Sequence, residues 1–211
     1  MADATVLVTG ASGFVGMELV TRLREAGYRV VLASRDPGST GHAAAESLRL
    51  PAPEASPADF ERMVAGVDHI VHLAAIAHTR LADAAEKYHA VNCVLAAKLA
   101  QAAHAAVQGK FIFVSSIRAQ SASVREGIAL ETDVPQPTDD YGRAKLAAEA
   151  EITRALPRGN YTILRPVLVY GPGVKGNMAA LARLAALPIP LPLKSLEGKR
   201  SLLDRTALCR A

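Results

Sequence analysis

The stretch "VLVTGASGFVG" at residues 6–16 joins an apolar, β-branched run to three glycines, Gly10, Gly13 and Gly16, and a helical pattern follows. Gly10 permits a tight turn, Gly13 lets the backbone approach a pyrophosphate, and Gly16 lets helix and strand pack closely. The N–H groups of the first helical turn would then face the phosphates. Because glycine triplets also mark ordinary turns, the inference depends on the flanking strand and helix. The stretch predicts a dinucleotide site lined by Gly10, Ser12, Gly13, Phe14, Val15 and Gly16.

The rest of the chain alternates short β-branched runs with longer amphipathic ones. Strands are predicted at 4–9, 29–34, 69–74, 110–116 and 161–166, with a weaker candidate at 48–50. Helices are predicted at 13–26, 57–65, 83–106, 139–156 and 177–187. Because successive parallel strands need a long crossover that packs a helix on the sheet, we expect a doubly wound α/β domain.

The composition excludes several classes of protein. With 211 residues, 50% of them hydrophobic, and a mean hydropathy of +0.17, the chain can bury one substantial core. Its net charge of +4 is spread along the chain and aromatic residues are only 4%, so no nucleic-acid partner is expected. No apolar run is long enough for a membrane span, and an acidic residue stands where a signal peptide needs positive charge. Since Cys93 and Cys209 lack metal-ligand spacing, we expect no metal and a cytoplasmic location.

A second motif, "DDYGRAKLAAE" at 139–149, places Tyr141 and Lys145 four residues apart on a predicted helix, so both side chains leave one face. Tyrosine ordinarily titrates near pH ~10, and a nearby ammonium favours the phenolate. Such a pair suits acid–base chemistry. The same spacing can arise by chance, but this is the only match in the chain.

Ser115 and Ser116 end the predicted strand "FIFVSS", at the carboxyl edge where open α/β sheets bind ligands. A hydroxyl there can bind a substrate oxygen whose proton Tyr141 handles, although a strand-end serine can equally bond nearby backbone groups. Ser116, Tyr141 and Lys145 would together form a proton relay. The arrangement holds no nucleophile–histidine pair, which speaks against a hydrolase.

The chain resembles the extended short-chain dehydrogenase/reductase family in several ordered motifs: "VLVTGASGFVG", "HLAA" (72–75), "FVSSI" (113–117), "YGRAK" (141–145) and "LRPVLVYGPGVKGN" (164–177). The likeness runs from residue 4 to about residue 203 and is strongest to the NAD-dependent epimerase/dehydratase group, in particular nucleotide-sugar 4-epimerases for UDP-glucose or UDP-N-acetylglucosamine. This resemblance implies a Rossmann-type doubly wound sheet, an NAD(P) cofactor and a nucleotide-sugar substrate.

The resemblance also implies roles for individual residues. The catalytic residues would be Ser116, Tyr141 and Lys145. Cofactor contacts beyond the glycine turn would be Leu73, Ala74, Ala75, Asn92, Tyr141, Lys145, Pro166 and Val167. The substrate would be held by Ser116, Asn177 and Arg200. Asn92 can also be an ordinary polar residue on a helix surface, and Arg200 a solvated charge.

Two features depart from the family pattern. The family often has an acidic residue after its third strand that holds the adenine, and in the region "LRLPAPEASPAD" either Glu54 or Asp59 could serve. The family's usual chain also continues well beyond the length of this one. We therefore expect residues 1–170 to be the NAD(P)-binding domain and 171–211 the start of a small C-terminal substrate lobe that is largely missing.

The end of the second predicted strand, "LASRDPG", bears on the choice of cofactor. NAD-specific folds usually place an acidic residue there for the ribose 2′-OH, whereas this chain offers Ser34 and Arg35, with Asp36 one position later. A guanidinium can pair with the 2′-phosphate of NADP. We therefore expect NADP to be preferred.

These observations predict an NAD(P)-dependent nucleotide-sugar epimerase or related dehydratase that can form a homodimer. Two alternatives stay open: an NADPH-dependent reductase of small carbonyl compounds, and a catalytically silent dinucleotide-binding sensor. Segment 117–138 is expected to cover the substrate, because loops of this length in compact domains are often functional.

Overall fold

The β-branched runs of the first 165 residues form a six-stranded sheet in the computed structural model, which describes residues 4–42, 46–77, 84–122, 127–174, 176–188 and 200–211. The strands are β1 (Thr5–Thr9), β2 (Arg29–Ser34), β3 (Glu46–Arg49), β4 (His69–His72), β5 (Phe111–Val114) and β6 (Tyr161–Leu164). Their order across the sheet is β3-β2-β1-β4-β5-β6, and every neighbouring pair is parallel. The strand order reverses between β1 and β4, the point at which doubly wound sheets bind their ligands. The predicted doubly wound α/β fold is confirmed.

Helices connect these strands: α1 (Phe14–Glu25), α2 (Pro57–Val64), α3 (Ala84–Tyr88), α4 (Leu95–Ala106), α5 (Ile117–Gln120) and α6 (Asp140–Ala155). A π-helical turn, His89–Val94, joins α3 to α4. The start of α6 is fixed by Asp139, whose carboxylate accepts the Gly142 N–H at 2.8 Å. This bond satisfies one of the N–H groups that the first turn of a helix leaves without an intrahelical partner.

The sheet buries apolar side chains on both faces, and β1 is buried at each of its positions. Leu7 belongs to a core cluster that also contains side chains of α2, α4 and α6. Val6 and Val8 point to the opposite face and belong to a second cluster with Val20 of α1. Burial on both faces is typical of a parallel sheet covered by helices on either side. The two layers hold the carboxyl ends of the strands in fixed positions.

Strands β1 and β2 end at the predicted residues, Thr9 and Ser34, whereas β3 to β6 end earlier than predicted. β4 stops at His72 and not at residue 74, because the Ala74 N–H bonds the Thr9 hydroxyl at 3.1 Å in place of a strand carbonyl. β5 likewise stops at Val114, before the two serines. The weak candidate at 48–50 is β3, which spans 46–49.

The chain divides into two compact units, Met1–Arg165 and Pro166–Ala211. In the second unit, β7 (Leu168–Tyr170) and β8 (Leu202–Asp204) pair in parallel, and the helices are α7 (Gly176–Ala185) and α8 (Arg205–Arg210). The two short strands were not predicted, because each is three residues long and its partner is distant along the chain. Within the described residues, no helix combines the length and the apolar character needed to cross a bilayer.

Candidate active site

The glycine turn between β1 and α1 brings backbone closer to backbone than a side chain would allow. Gly10 has a φ of +72°, a left-handed conformation that favours glycine, and a Cβ there would lie 2.7 Å from the Ala74 nitrogen. A Cβ on Gly16 would lie 2.3 Å from the Gly10 carbonyl oxygen. The sharp turn and the close approach of α1 therefore both require glycine.

The N-terminus of α1 lies at the switch point of the sheet. Gly13 precedes the helix and has no side chain that could cap it. A Cβ at Gly13 would stand 3.1 Å from the Gly10 oxygen, and Ser12 and Gly13 are exposed while Phe14 and Val15 are half-buried. A helix N-terminus preceded by glycine at the switch point of a parallel sheet suits a phosphate group. The residues present thus fit the pyrophosphate of a dinucleotide.

Thr9 and His72 lie opposite each other at the ends of β1 and β4. The Thr9 Oγ1 lies 2.7 Å from Nδ1 of His72, and the same oxygen accepts the Ala74 N–H. The imidazole stacks on Phe113 with 5.7 Å between ring centroids, and no described residue bonds its Nε2. Burial, with the charge of Lys145 acting in the same direction, lowers the pKa of His72 to about 3. The ring is therefore neutral at physiological pH.

The buried His72 predicts that stability falls in mild acid. The ordinary pKa of 6.5 is lowered to about 3, so between these values the unfolded chain binds a proton that the folded chain does not. The folded state therefore has its full stability above pH ~6.5 and loses stability as the pH falls. The loss reaches about 2 kcal/mol at pH ~5. In His72→Asn, which can keep a bond to Thr9, urea unfolding at pH 7 and pH 5 should show a smaller difference.

His104→Asn, on the half-exposed side of α4, is the matched control for losing a histidine. An equal pH 7 to pH 5 difference in wild type and His72→Asn would contradict the prediction.

Asn92 lies in the π-helical turn and is fully buried, so the alternative that it is a helix-surface residue is wrong. Its carboxamide bonds both backbone groups of Ile76: Oδ1 accepts the N–H and Nδ2 donates to the carbonyl, each at 2.9 Å. Turns of this type are frequent at functional sites. Asn92 therefore holds in place the segment after β4 that contains Leu73, Ala74 and Ala75.

Ser116 and Tyr141 are neighbours at the point where α5 packs on the first turn of α6. Ser116 follows β5 and caps α5, because its Oγ accepts the Arg118 N–H at 3.2 Å. Tyr141 lies in the first turn of α6, and Tyr88 meets its ring edge to face at 5.8 Å between centroids. Burial raises the pKa of Tyr141, while Ser116 and the charge of Arg118 oppose that rise.

Lys145 lies one helical turn beyond Tyr141 and is only 1% exposed. Its Nζ donates to the carbonyl of Val114, the last residue of β5, at 2.8 Å and lies 4.4 Å from the Phe113 ring centroid. Burial lowers the pKa of Lys145 to about 7, against the opposing charge of Glu149. Among the described residues Nζ has this one hydrogen bond, which leaves donors for a ligand's hydroxyl groups.

Arg118 was not among the predicted site residues, yet it contacts Tyr141. Its guanidinium carbon lies 5.6 Å from the Tyr141 ring centroid and its Nη2 pairs with Asp139 at 2.5 Å. A Cβ on Gly142 would lie 2.3 Å from the Arg118 carbonyl oxygen, so α5 packs directly on the start of α6. These contacts fix Tyr141 against Ser116. No sequence signal distinguished Arg118 from a solvated arginine.

A buried polar cluster of Ser115, Glu149, Arg165 and Gln120 was also missed. The Glu149 carboxylate accepts a hydrogen bond from the Ser115 hydroxyl. Arg165 Nε donates to both carboxylate oxygens of Glu149, at 3.0 and 3.1 Å. Arg165 also donates to Gln120. Glu149 stands inside the quoted "DDYGRAKLAAE" motif, four residues after Lys145, and this spacing was the one signal that could have found it.

The end of β2 leaves Arg35 exposed. Ser34 donates its hydroxyl to the Asp36 carbonyl at 3.1 Å. The Asp36 carboxylate accepts the Gly38 N–H at 3.2 Å and so caps a short 3-10 turn. Asp36, next to the expected 2′ position, is therefore engaged locally although it is exposed, and the neighbouring Arg35 is exposed as well.

Asp59, one of the two acidic candidates for the adenine, is occupied at the start of α2. It accepts both the backbone N–H and the hydroxyl of Ser56, at 3.0 and 2.7 Å, and pairs with Arg62. These bonds form a capping box. Glu54 is exposed.

The remaining predicted contacts belong to the second unit. Pro166 and Val167 are half-buried just before β7, and Arg200 is exposed before β8. Asn177 lies in α7, with its side chain outside the described part of the structure. The roles of these four residues stay predictions.

Known proteins share this architecture. The profile of the NAD dependent epimerase/dehydratase family matches residues 6–210. The chain is 36% identical over 210 residues to a UDP-glucose 4-epimerase of Vibrio cholerae, covering 95% of this chain and 62% of the relative. It is 30% identical over 195 residues to a ceramide reductase of Caulobacter vibrioides, covering 92% of this chain and 55% of that one. The structure of MoeE5 with UDP-glucuronic acid and NAD superposes with a TM-score of 0.76 at 27% identity, over 98% of this chain and 70% of MoeE5.

The fold and these likenesses are those of an extended short-chain dehydrogenase/reductase. Within that class, the chain belongs to the NAD dependent epimerase/dehydratase family, as the resemblance of its motifs implied. It spans about three fifths of the length of the curated relatives it matches.

Proposed function

We propose that this chain is the cofactor-binding and catalytic part of an NAD(P)-dependent nucleotide-sugar epimerase acting on UDP-glucose or UDP-N-acetylglucosamine. The observation that carries the proposal is the placement of Ser116 beside Tyr141, one helical turn from the buried Lys145. The likeness to a UDP-glucose 4-epimerase supports it, as does the likeness to MoeE5, whose structure holds UDP-glucose and NAD. Residues 1–170 would form the NAD(P)-binding domain and 171–211 the start of the substrate lobe.

The cofactor is proposed to bind along the carboxyl edge of the sheet. The glycine turn would hold its pyrophosphate through backbone N–H groups, and the free donors of Lys145 would hold ribose hydroxyls. The segment from Leu73 to Ala75, fixed by Asn92, would line the cofactor. When bound, the nicotinamide supplies the hydride acceptor and donor that a sugar oxidation needs.

Tyr141 is proposed to be the acid–base group. As phenolate it would take the proton of a sugar hydroxyl, and as phenol it would return that proton after the keto sugar has turned its other face. Burial, followed by the charges of Asp139 and Tyr88, opposes ionisation of Tyr141, whereas Ser116 and the charge of Arg118 favour the phenolate. Ser116 would bind the same sugar oxygen and orient it. Because the proton and the hydride both return, the cofactor is not consumed.

Segment 117–138 is proposed to cover the sugar, and Gln120 anchors it by donating to the carbonyls of Leu130 and Asp133 at 3.1 and 2.8 Å. Asn177 and Arg200 are proposed to hold the diphosphate of the nucleotide sugar. A homodimer is part of the same proposal and can be measured by sedimentation.

An assay of product identity tests the proposed function. The protein is incubated with UDP-glucose and, separately, UDP-N-acetylglucosamine, each with catalytic NAD or NADP, and the sugars are separated by anion-exchange chromatography. Appearance of the 4-epimer without net absorbance change at 340 nm is the expected result. Cofactor binding without conversion of either sugar would contradict the proposal and favour a silent dinucleotide-binding protein.

A reductase is the second candidate, because a ceramide reductase and a dTDP-4-dehydrorhamnose reductase of Mycolicibacterium smegmatis also match this chain at 30% and 31% identity. The Ser116, Tyr141 and Lys145 arrangement serves carbonyl reduction equally well, with Tyr141 donating its proton to the new hydroxyl. Stoichiometric loss of absorbance at 340 nm with a carbonyl substrate would establish this alternative.

Preference for NADP is proposed to depend on Arg35. Its exposed guanidinium would pair with the 2′-phosphate, while Asp36 is engaged in capping. In Arg35→Ala, we expect NADP to bind about tenfold more weakly, the loss of one charge-assisted contact, and NAD affinity to stay within about twofold. Calorimetric titration of both cofactors measures this, with Arg158→Ala in the exposed turn after α6 as control. Tighter binding of NAD by the wild type, or equal losses for both cofactors, would refute the proposal.

A further inference from the structure

Glu149 shares a helix face with the two catalytic residues of α6. It lies one helical turn beyond Lys145 and two turns beyond Tyr141. Side chains four residues apart on a helix are neighbours, with about 5–6 Å between their Cβ atoms. The carboxylate of Glu149 is therefore next to the lysine that the proposed chemistry depends on.

The Glu149 side chain is only 7% exposed, and its surroundings supply donors. Ser115 donates its hydroxyl to one oxygen, and Arg165 donates from Nε and Nη2. Glu149 is the acceptor in all of these hydrogen bonds, as expected of an ionised carboxylate. A negative charge is thus held at the base of the site.

Among the described residues, two ionisable groups interact with Lys145: the charge of Glu149 favours its protonated form, and Lys145 in turn lowers the pKa of His72. The elements packed against α6 carry further ionisable side chains, which are Glu86, Lys87, Tyr88, His89, Cys93, Lys98, His104, Arg118 and Tyr161. Of the described groups, Glu149 is the carboxylate that acts on Lys145. His72 is neutral, and Arg165 is already bound to Glu149 and more exposed, with 26% of its side chain reaching the surface. Solvent therefore screens the positive charge of Arg165 more than the negative charge of Glu149.

We propose that Glu149 is a positioning residue of the active site: held by Ser115 and Arg165, its carboxylate is the buried counter-charge that keeps Lys145 protonated and seated on the Val114 carbonyl. The role in turnover rests on the proposed function, whereas the charge coupling does not. Lys145 has a pKa of about 7 because burial opposes its charge and Glu149 favours it. Loss of Glu149 then converts Lys145 to its neutral form at the pH at which the site works.

Titration of Lys145 in two charge-removing variants tests the inference. The protein is labelled with ¹³C-lysine, and the Cε signal of Lys145, assigned by its loss in Lys145→Met, is followed by NMR from pH 5 to pH 10. In Glu149→Gln the pKa of Lys145 should fall by about one unit, and in Arg165→Gln it should rise, because the carboxylate loses its partner. Glu151→Gln is the control, because it removes a more exposed carboxylate of the same helix, one that pairs with Arg154.

The opposite signs distinguish charge coupling from a structural role. If the Glu149–Arg165 pair only held the helix in place, removing either partner would shift Lys145 in the same direction or not at all, and that result would overturn the inference. Where Glu149→Gln does not fold by circular dichroism, Arg165→Gln decides alone: a raised pKa supports the inference and an unchanged or lowered one overturns it.

Turnover supplies the second readout. If Lys145 must be protonated, the alkaline limb of the pH–rate profile in Glu149→Gln should move to lower pH, and turnover at pH ~7 should fall about fivefold as the protonated fraction falls from one half to about a tenth. An unmoved alkaline limb in an active Glu149→Gln enzyme would overturn the catalytic role. The NMR titration needs no substrate, so failure of the epimerase assay leaves its outcome intact.

Discussion

Tyr141→Phe is expected to lower turnover of the nucleotide sugar by 10²–10⁴-fold, the usual contribution of a positioned acid–base group, while cofactor affinity changes less than about threefold. The substitution removes the phenol hydroxyl and keeps the ring that packs against Tyr88 and Arg118. Initial rates give the first quantity and calorimetric titration with NAD or NADP the second.

Tyr88→Phe is the matched control, because it removes a hydroxyl that donates to the Ala77 carbonyl at 3.3 Å and keeps the ring contact with Tyr141. Turnover in Tyr88→Phe should stay within a few fold of wild type. Near-normal turnover in Tyr141→Phe would remove this residue from the mechanism.

Gly16→Ala is expected to weaken cofactor binding by more than about tenfold and to destabilise the fold by about 1–3 kcal/mol. In a helix interior, alanine is favoured over glycine by about 0.5–1 kcal/mol, so helix propensity alone predicts the opposite sign. The clash decides the sign here: the new Cβ would lie 2.3 Å from the Gly10 oxygen and 2.7 Å from the Ala11 Cα. Relief requires α1 to move away from the turn that holds the phosphates.

Urea unfolding and calorimetric cofactor titration measure the two effects. Gly27→Ala is the control, since Gly27 has a φ of +86° with open space around it. That substitution strains only its own backbone, at a cost of about 1–2 kcal/mol, and should leave cofactor affinity unchanged. A Gly16→Ala protein that is more stable than wild type and binds cofactor normally would show that the close packing is not required.

The glycine turn and the Tyr141–Lys145 pair could be predicted because both are local. A tight turn is determined by residues that are adjacent in sequence. Two side chains four residues apart on a helix share a face wherever that helix lies in the fold. The alternation of apolar runs likewise predicted which segments are strands and which are helices. A buried strand and a helix that covers a sheet each require apolar residues at a characteristic spacing along the sequence.

The polar contacts of the site could not be predicted in this way. Asn92 was compatible with a helix-surface residue, and only the fold shows it buried against Ile76. Arg118 and Arg165 look like solvated charges in the sequence. Their partners, Asp139 and Glu149, lie on another element and become neighbours only when the sheet has formed.

The sequence by itself determined the class of fold, the glycine turn after β1 and the shared helix face of Tyr141 and Lys145, because each depends on spacing within a few turns of chain. Only the tertiary structure decided the electrostatics of the site. Burial lowers the pKa of Lys145 to about 7 and that of His72 to about 3, and these shifts arise from desolvation by residues far away in the chain. Because solvation depends on everything that packs around a group, no local pattern of residues can specify it.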